Sequence, residues 1–475
     1  MYFNELKNYL EDDSLIDFLD LWGSDNGFKP TNNFYVPEHI SLSDWKIAYD
    51  IREYNLIENK VDATKNNLEN GIILSPVIFD DEFGLYLNPH ALIDGSPVFI
   101  TTKKYVLNKD SKLLKSYNFS SQLELQRAAH ILKKPAYFIQ LISKENKIVS
   151  DYSVKNNNKI HDAIKWRKKV ISEGKLWNCY NYNEIGLAPN MNIQRNTPWN
   201  EVKKTLAHER GELTLLWSIT FKQRNEAWAR GIYSLSQLFT PSGRKTIENL
   251  VNLTKMKTID NILSVNNPNH SLSITPRRWI TVPSAKYIVS IDYETIHNFQ
   301  FHDKPPWIFL VGVVILNTKS KNITHLQWTL PNLHPDHQNE MLHNFINAIP
   351  NDHILLHWSN IEQNLLHKWI GKQPQLKWFD LLDYFRKNNI GIRGAYNFGL
   401  KDIATSLYNL NCIPKCIWDK NDIHSGFHAM KTAINHYTKS ANPDDMERIK
   451  KYNLVDCKVL LEIYKYIKTR STSYC

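Results

Sequence analysis

The sequence predicts an α/β protein in three parts: a small α/β domain (1–150), a helical middle region (151–265) and a C-terminal mixed sheet with flanking helices (284–475). Three observations carry this. Residues 286–293, 307–316 and 324–330 are successive apolar, β-branched runs of strand length, followed by alternating helical and strand patterns. Residues 71–145 hold short strand-like runs before one helical stretch. Residues 160–265 are dominated by helical periodicity. A chain of 475 residues exceeds one ordinary core, so several domains are expected.

In order along the chain, residues 1–70 read as polar and helical, with Leu6, Tyr9 and Leu10, then Leu15, Phe18 and Leu19, on one face. Strands are expected at 72–79, 85–87, 97–101 and 138–142, with a helix at 122–132. The middle region predicts helices at 163–172, 199–221 and 225–231. Arg224 to Leu238, with Gly231 between two helical patterns, resembles half of a helix-hairpin-helix, a binder of nucleic-acid backbone. A plain helix pair closed by a C-cap glycine is the simpler reading. Residues 261–283 are rich in Asn, Ser, Thr and Pro without periodicity and read as a linker.

Beyond the linker, three strands lead into a helix at 335–349, a buried strand at 353–357, a helix at 361–369 and a strand at 378–382. Helices are expected at 399–410 and 446–468. The first of these strands, Lys286-Tyr-Ile-Val-Ser-Ile-Asp-Tyr-Glu-Thr295, ends in Asp292 and Glu294. Residues two apart on a strand face the same side, so both acids can reach one point. A divalent cation is the economical way to balance two such charges on a buried strand. On the last helix, Tyr452 and Asp456 lie four apart and share a face. His357-Trp-Ser-Asn-Ile-Glu362 puts Glu362 in the first turn of a helix, where it could be only a cap. Asp380 and Asp383 add two acids at another strand end.

Composition limits the function classes. A net charge of +10 and a pI near 9.0 suit a polyanionic partner, most commonly nucleic acid. The longest apolar run, 307–316, is far shorter than a membrane span, and no secretory signal is visible. Five thinly spread cysteines make no disulfide framework, so an intracellular, reducing setting is expected. No phosphate-cradling glycine motif is present, which leaves nucleotide cofactors unsupported. Cys412, Cys416, His424 and His428 form a tempting zinc set, but the gap between the pairs is shorter than a finger requires.

Asp-x-Glu on the first strand, an acid after a mid-domain strand and Tyr-x-x-x-Asp on the last helix resemble the DEDDy pattern of DnaQ-like 3′–5′ exonucleases of the ribonuclease H superfamily. Trp378-Phe-Asp-Leu-Leu-Asp383, Gly394-Ala-Tyr-Asn-Phe-Gly-Leu-Lys-Asp-Ile-Ala404 and Tyr452-Asn-Leu-Val-Asp-Cys-Lys-Val-Leu460 are similar to its YprB-like branch. The resemblance implies Asp292, Glu294, Glu362 and Asp456 as ligands of two Mg²⁺ or Mn²⁺ ions, and Tyr452 as the residue positioning the attacking water. The third acid is usually Asp in that superfamily, so Asp380 stands as the substitute for Glu362. Lys401, Arg393 and Arg224, in or beside the matching strings, are the candidate nucleic-acid contacts.

The upstream half resembles RecB-like PD-(D/E)xK nucleases, which are joined to YprB-like domains in large DNA viruses and bacteria. The strings are Pro198-Trp-Asn-Glu-Val-Lys203, Gly211-Glu-Leu-Thr-Leu-Leu-Trp217 and Arg224 to Ile232. In that alignment His90 stands where the first acid is expected and Thr101 where the second is, with Lys103 retained. The resemblance then implies a restriction-endonuclease-like domain that has lost hydrolysis. In a shifted alignment Asp80, Asp81, Glu82 or Asp94 would serve. The expected function is a metal-dependent 3′–5′ exonuclease of DNA. A non-catalytic nucleic-acid scaffold and an RNA exonuclease are the alternatives.

Overall fold

A computed structural model describes residues 1–30, 56–58, 72–74, 76–101, 119–140, 145–150, 157–180, 185–193, 198–277, 279–296, 305–414, 418, 422–423, 425–438 and 442–472. The chain divides into two compact units, Met1–Arg210 and Gly211–Cys475. The helices expected between 151 and 265 are shared between them.

In the first unit, short strands form a mixed sheet. They are β1 (Leu56–Glu58), β2 (Ile72–Leu74), β3 (Ile78–Asp80), β4 (Leu85–Leu87), β5 (Ala91–Ile93), β6 (Ser96–Thr101), β7 (Ala136–Gln140) and β8 (Glu145–Ser150). Six of them pair in the order β1-β2-β5-β6-β7-β8, and β3 with β4 makes a separate hairpin. β6 and β7 are parallel because the helix Phe119–Leu132 carries the chain across between them. The expected strand at 72–79 is two strands, β2 and β3. Leu6, Leu10, Ile73, Leu92, Leu123 and Ala128 share one apolar core. A second core, with Leu15, Phe18, Leu19, Trp166 and Leu206, joins the helices Leu15–Trp22, Asn157–Glu173 and Asn200–Arg210.

The long helix expected at 199–221 is interrupted. It stops at Arg210 because Gly211 takes φ +61°, a conformation that ends a helix at little cost only for glycine. A short 3₁₀ turn, Leu213–Leu215, and a new helix, Phe221–Trp228, follow. Gly231, at φ +81°, then leads into a 3₁₀ turn, Leu235–Phe239, so the second helix expected from Ser234 begins only at Pro241, as the helix Pro241–Leu250.

The linker expected at 261–283 is also corrected. The helix Leu253–Asn266 continues into it, and β9 (Ile274–Thr275) pairs with β15 (Gly391–Ile392). The Asn261 amide donates to the Asn389 carbonyl at 2.6 Å, fastening this segment to the domain that follows.

That domain is a five-stranded mixed sheet of β10 (Tyr287–Ile296), β11 (Trp307–Asn317), β12 (Ile323–Thr329), β13 (His353–His357) and β14 (Trp378–Asp380), in the order β12-β11-β10-β13-β14. β12, β11 and β10 are antiparallel, and β13 and β14 run parallel to β10. The parallel pairings need crossovers, supplied by the helices Pro335–Ala348 and Ile361–Ile370. β11 is buried along almost its whole length, which explains its continuous apolar sequence. The expected strand at 378–382 stops at Asp380, whose carboxylate caps the helix Leu381–Lys387. The last helix, Pro443–Thr472, packs across β10 and β11. No helix among the described residues is long and apolar enough to cross a membrane.

Candidate metal centre

β10 is flanked by strands on both sides, and its pleat delivers Asp292 and Glu294 to one face. The ladder to β11 slips immediately after Glu294, a bulge at the end of the acidic pair. The last helix approaches this face and adds Asp456. One oxygen from each of Asp292, Glu294 and Asp456 lies within 4.8 Å of the others. Among the described residues this is the only group of three or more His, Cys, Asp or Glu side chains that converges in this way. Cys416 and His424 of the zinc candidate lie outside the described residues.

The electrostatics are unfavourable without a cation. Burial, then the charges of Asp456, Glu294 and Glu362, push Asp292 well above the usual carboxylate range. Burial and Asp456 do the same to Glu294, which is hydrogen-bonded to Asp292. Asp456 is raised to about 6 by burial, although Lys401, Tyr452 and Trp418 pull it down. Glu294 Oε1 is buried without a hydrogen-bond partner. Buried like charges with an unsatisfied oxygen fit a hard divalent cation, for which three carboxylates are suitable ligands.

Neighbouring side chains hold the acids in place. Trp418 Nε1 donates to Asp456 Oδ1 at 2.9 Å, and the Tyr452 hydroxyl also donates to Asp456. Burial keeps the Tyr452 hydroxyl protonated. Lys401 Nζ lies 5.0 Å from the Tyr452 ring centre and 5.1 Å from that of Trp418, placing a cation beside the acids. Asn453 Nδ2 donates to both Asp292 Oδ2 (2.9 Å) and the Asp292 carbonyl (3.1 Å). Trp418, Asn453 and Gly312 were not singled out by sequence. Tyr452-Asn453 lay inside a quoted string, but Trp418 and Gly312 sit where no motif marks them.

The other expected residues are dispersed. Glu362 is buried at the start of its helix, 3.7 Å from His357 Nδ1, and lies outside the converging triad while its charge still acts on Asp292. Asp380 Oδ1 accepts from the backbone N–H of Asp383 (3.1 Å) and of Ser359 (3.0 Å), the work of a helix cap. Arg224 is buried, 3.6 Å from buried Glu212 and packed over Phe221 and Trp228, so it presents no guanidinium to a phosphate. Arg393 donates to the carbonyls of Val265, His270 and Leu272 and fastens the preceding turn. Lys401 alone of the three basic candidates stands at the acids.

In the first unit, His90 Nδ1 accepts from the Ile100 N–H at 3.1 Å and its ring stacks on Phe99. Asp80 is paired with buried Arg127 through two 2.6 Å hydrogen bonds. Thr101 ends β6, and Lys103 lies outside the described residues.

Residues 291–468 match the RNase_H superfamily. The match spans β10 to the last helix and contains all three converging acids. Comparison of the chain with curated proteins and with solved structures gave no match. The C-terminal unit thus contains an RNase H-like domain, which suggests a nuclease with nucleic acid as its partner, and its converging acids are suited to a divalent metal.

Proposed function

We propose that the protein is a metal-dependent 3′–5′ exonuclease of DNA, hydrolysing phosphodiesters at the centre formed by Asp292, Glu294, Glu362, Tyr452 and Asp456. The observation that carries the reading is the meeting of Asp292 and Glu294 with Asp456, brought from the last helix onto the first strand of an RNase H-like sheet. The chemistry that bound Mg²⁺ or Mn²⁺ supplies at such a centre is activation of water and stabilisation of the leaving oxygen. The three carboxylates hold the cation, and Glu362, steered by His357, completes the acidic set from the neighbouring helix. Tyr452, protonated and donating to Asp456, is placed to orient a water at the reacting phosphorus. Lys401 offers positive charge to the phosphate. The net charge of +10 favours the nucleic-acid backbone. The first unit serves binding or scaffolding, since His90 and Asp80 are already engaged with partners of their own.

The test is 5′-labelled single-stranded DNA incubated with protein and Mg²⁺ or Mn²⁺, beside the Asp292→Asn variant. A ladder shortening from the 3′ end, lost with EDTA and in the variant, is expected. Cleavage that survives Asp292→Asn would move the activity to the first unit. Cleavage of RNA but not DNA would change the substrate and keep the centre. Binding of either without cleavage in both metals would leave a scaffold.

A further inference from the structure

Asn453 is fully buried on the last helix, one residue beyond Tyr452 and three before Asp456. Its amide nitrogen reaches the Asp292 carboxylate and carbonyl, and its side chain is also hydrogen-bonded to Glu294. The amide is itself held in orientation. Gln327 Nε2, from the edge strand β12, donates to Asn453 Oδ1 at 3.2 Å and to the Lys450 carbonyl at 2.8 Å. That contact makes Oδ1 the acceptor and leaves Nδ2 to face the acids. Space for the amide comes from Gly312, which lies directly opposite Asp292 in the β10–β11 ladder. A Cβ at Gly312 would stand 1.7 Å from Asn453 Oδ1. φ is not the constraint here; close approach of the helix to the strand is.

We propose that Asn453 is the positioning residue of the centre. Seated in the gap left by Gly312 and oriented by Gln327, it holds Asp292 and Glu294 in the geometry that receives a divalent cation. This rests on the metal-dependent reading above. An amide suits the task because it donates a hydrogen bond to a carboxylate without adding charge to the cluster or competing for the cation. Outer partners of this kind commonly change metal affinity by about 10–100-fold.

The experiment is a Mn²⁺ titration of the full chain by calorimetry, with the unfolding temperature measured alongside. Asn453→Ala is expected to weaken Mn²⁺ binding about 10–100-fold and to raise the metal concentration for half-maximal cleavage, with turnover recovering at saturating metal. Gly312→Ala, which displaces the amide while leaving Asn453 in the sequence, should weaken binding likewise and add little in the Asn453→Ala background. Gln327→Ala, at a half-buried edge position, gives a smaller loss and keeps the test open if the core variants fail to fold. A folded Asn453→Ala that binds Mn²⁺ like the wild type, with only its unfolding temperature lowered, would reduce Asn453 to packing and overturn the inference alone. A wild type that binds no divalent ion would overturn the metal reading and this inference with it.

Discussion

Replacing Asp456 by Asn removes one charge from the acidic centre and preserves size and one acceptor oxygen. In the metal-free fold, Asp456 is held from 3.8 up to about 6, mainly by burial. A folded-state value above the unfolded one means that the folded state binds the proton more tightly. Stability from this group is therefore full below the ordinary carboxylate range and is lost as pH rises through about 6. At about 1.4 kcal/mol per pH unit of difference, the ionised carboxylate costs the metal-free fold about 3 kcal/mol at pH 8. Asp456→Asn is thus expected to stabilise the metal-free protein at pH 8 by about 3 kcal/mol, roughly 6–12 °C in unfolding temperature for a domain of this size. The gain should vanish near pH 4, where wild-type Asp456 is protonated. Adding Mn²⁺ should stabilise the wild type and leave the variant unchanged, so their order reverses with metal. Thermal unfolding with EDTA and with Mn²⁺, at pH 4 and pH 8, measures all of this. A variant less stable than wild type at pH 8 in EDTA, or one that Mn²⁺ stabilises as much as the wild type, would refute the reasoning.

Three further outcomes follow from the same geometry. Mn²⁺ affinity should fall as pH drops through about 6, because protons compete for the raised carboxylates; a pH-independent affinity would place the ligands elsewhere. Asp380→Ala should lose about 1 kcal/mol through its helix cap and keep metal binding, whereas Glu362→Gln should impair cleavage; the reverse in a cleavage assay would make Asp380 the fourth acid. Arg224→Ala should destabilise its unit by about 3–5 kcal/mol by stranding buried Glu212, and Arg224→Met with Glu212→Gln, which keeps an acceptor for Thr214, should recover part of that stability with nucleic-acid affinity unchanged; a loss of affinity in the folded double variant would return Arg224 to the interface.

Much of the RNase H-like domain was legible in one dimension. Its strands and most helices announce themselves because β11 is buried on both faces and because Pro335 marks a helix start, whereas the helix start at Asp380 was hidden inside an expected strand. Asp292 and Glu294 were legible because the pleat alone forces i and i+2 to one side. Breaks governed by single backbone conformations were less legible: Gly211 ends a helix that periodicity would have continued. Residues 261–283 misled because a loop-like composition does not reveal that Arg393 and Asn389 wait elsewhere in the chain to bind it.

Sequence by itself determined which residues carry charge, how they are spaced along each element, and hence that Asp292 pairs with Glu294 and Tyr452 with Asp456. Those are local facts, set by the rise and pitch of strand and helix. Only the tertiary structure decided which basic residues face the acids, since Lys401 lies against Tyr452 while Arg224 is consumed by buried Glu212 and Arg393 by backbone carbonyls. It alone recruited Trp418 to Asp456, and it alone gave Gly312 a purpose. Those pairings join residues 38 and 141 positions apart, and no local periodicity encodes contacts closed over such distances.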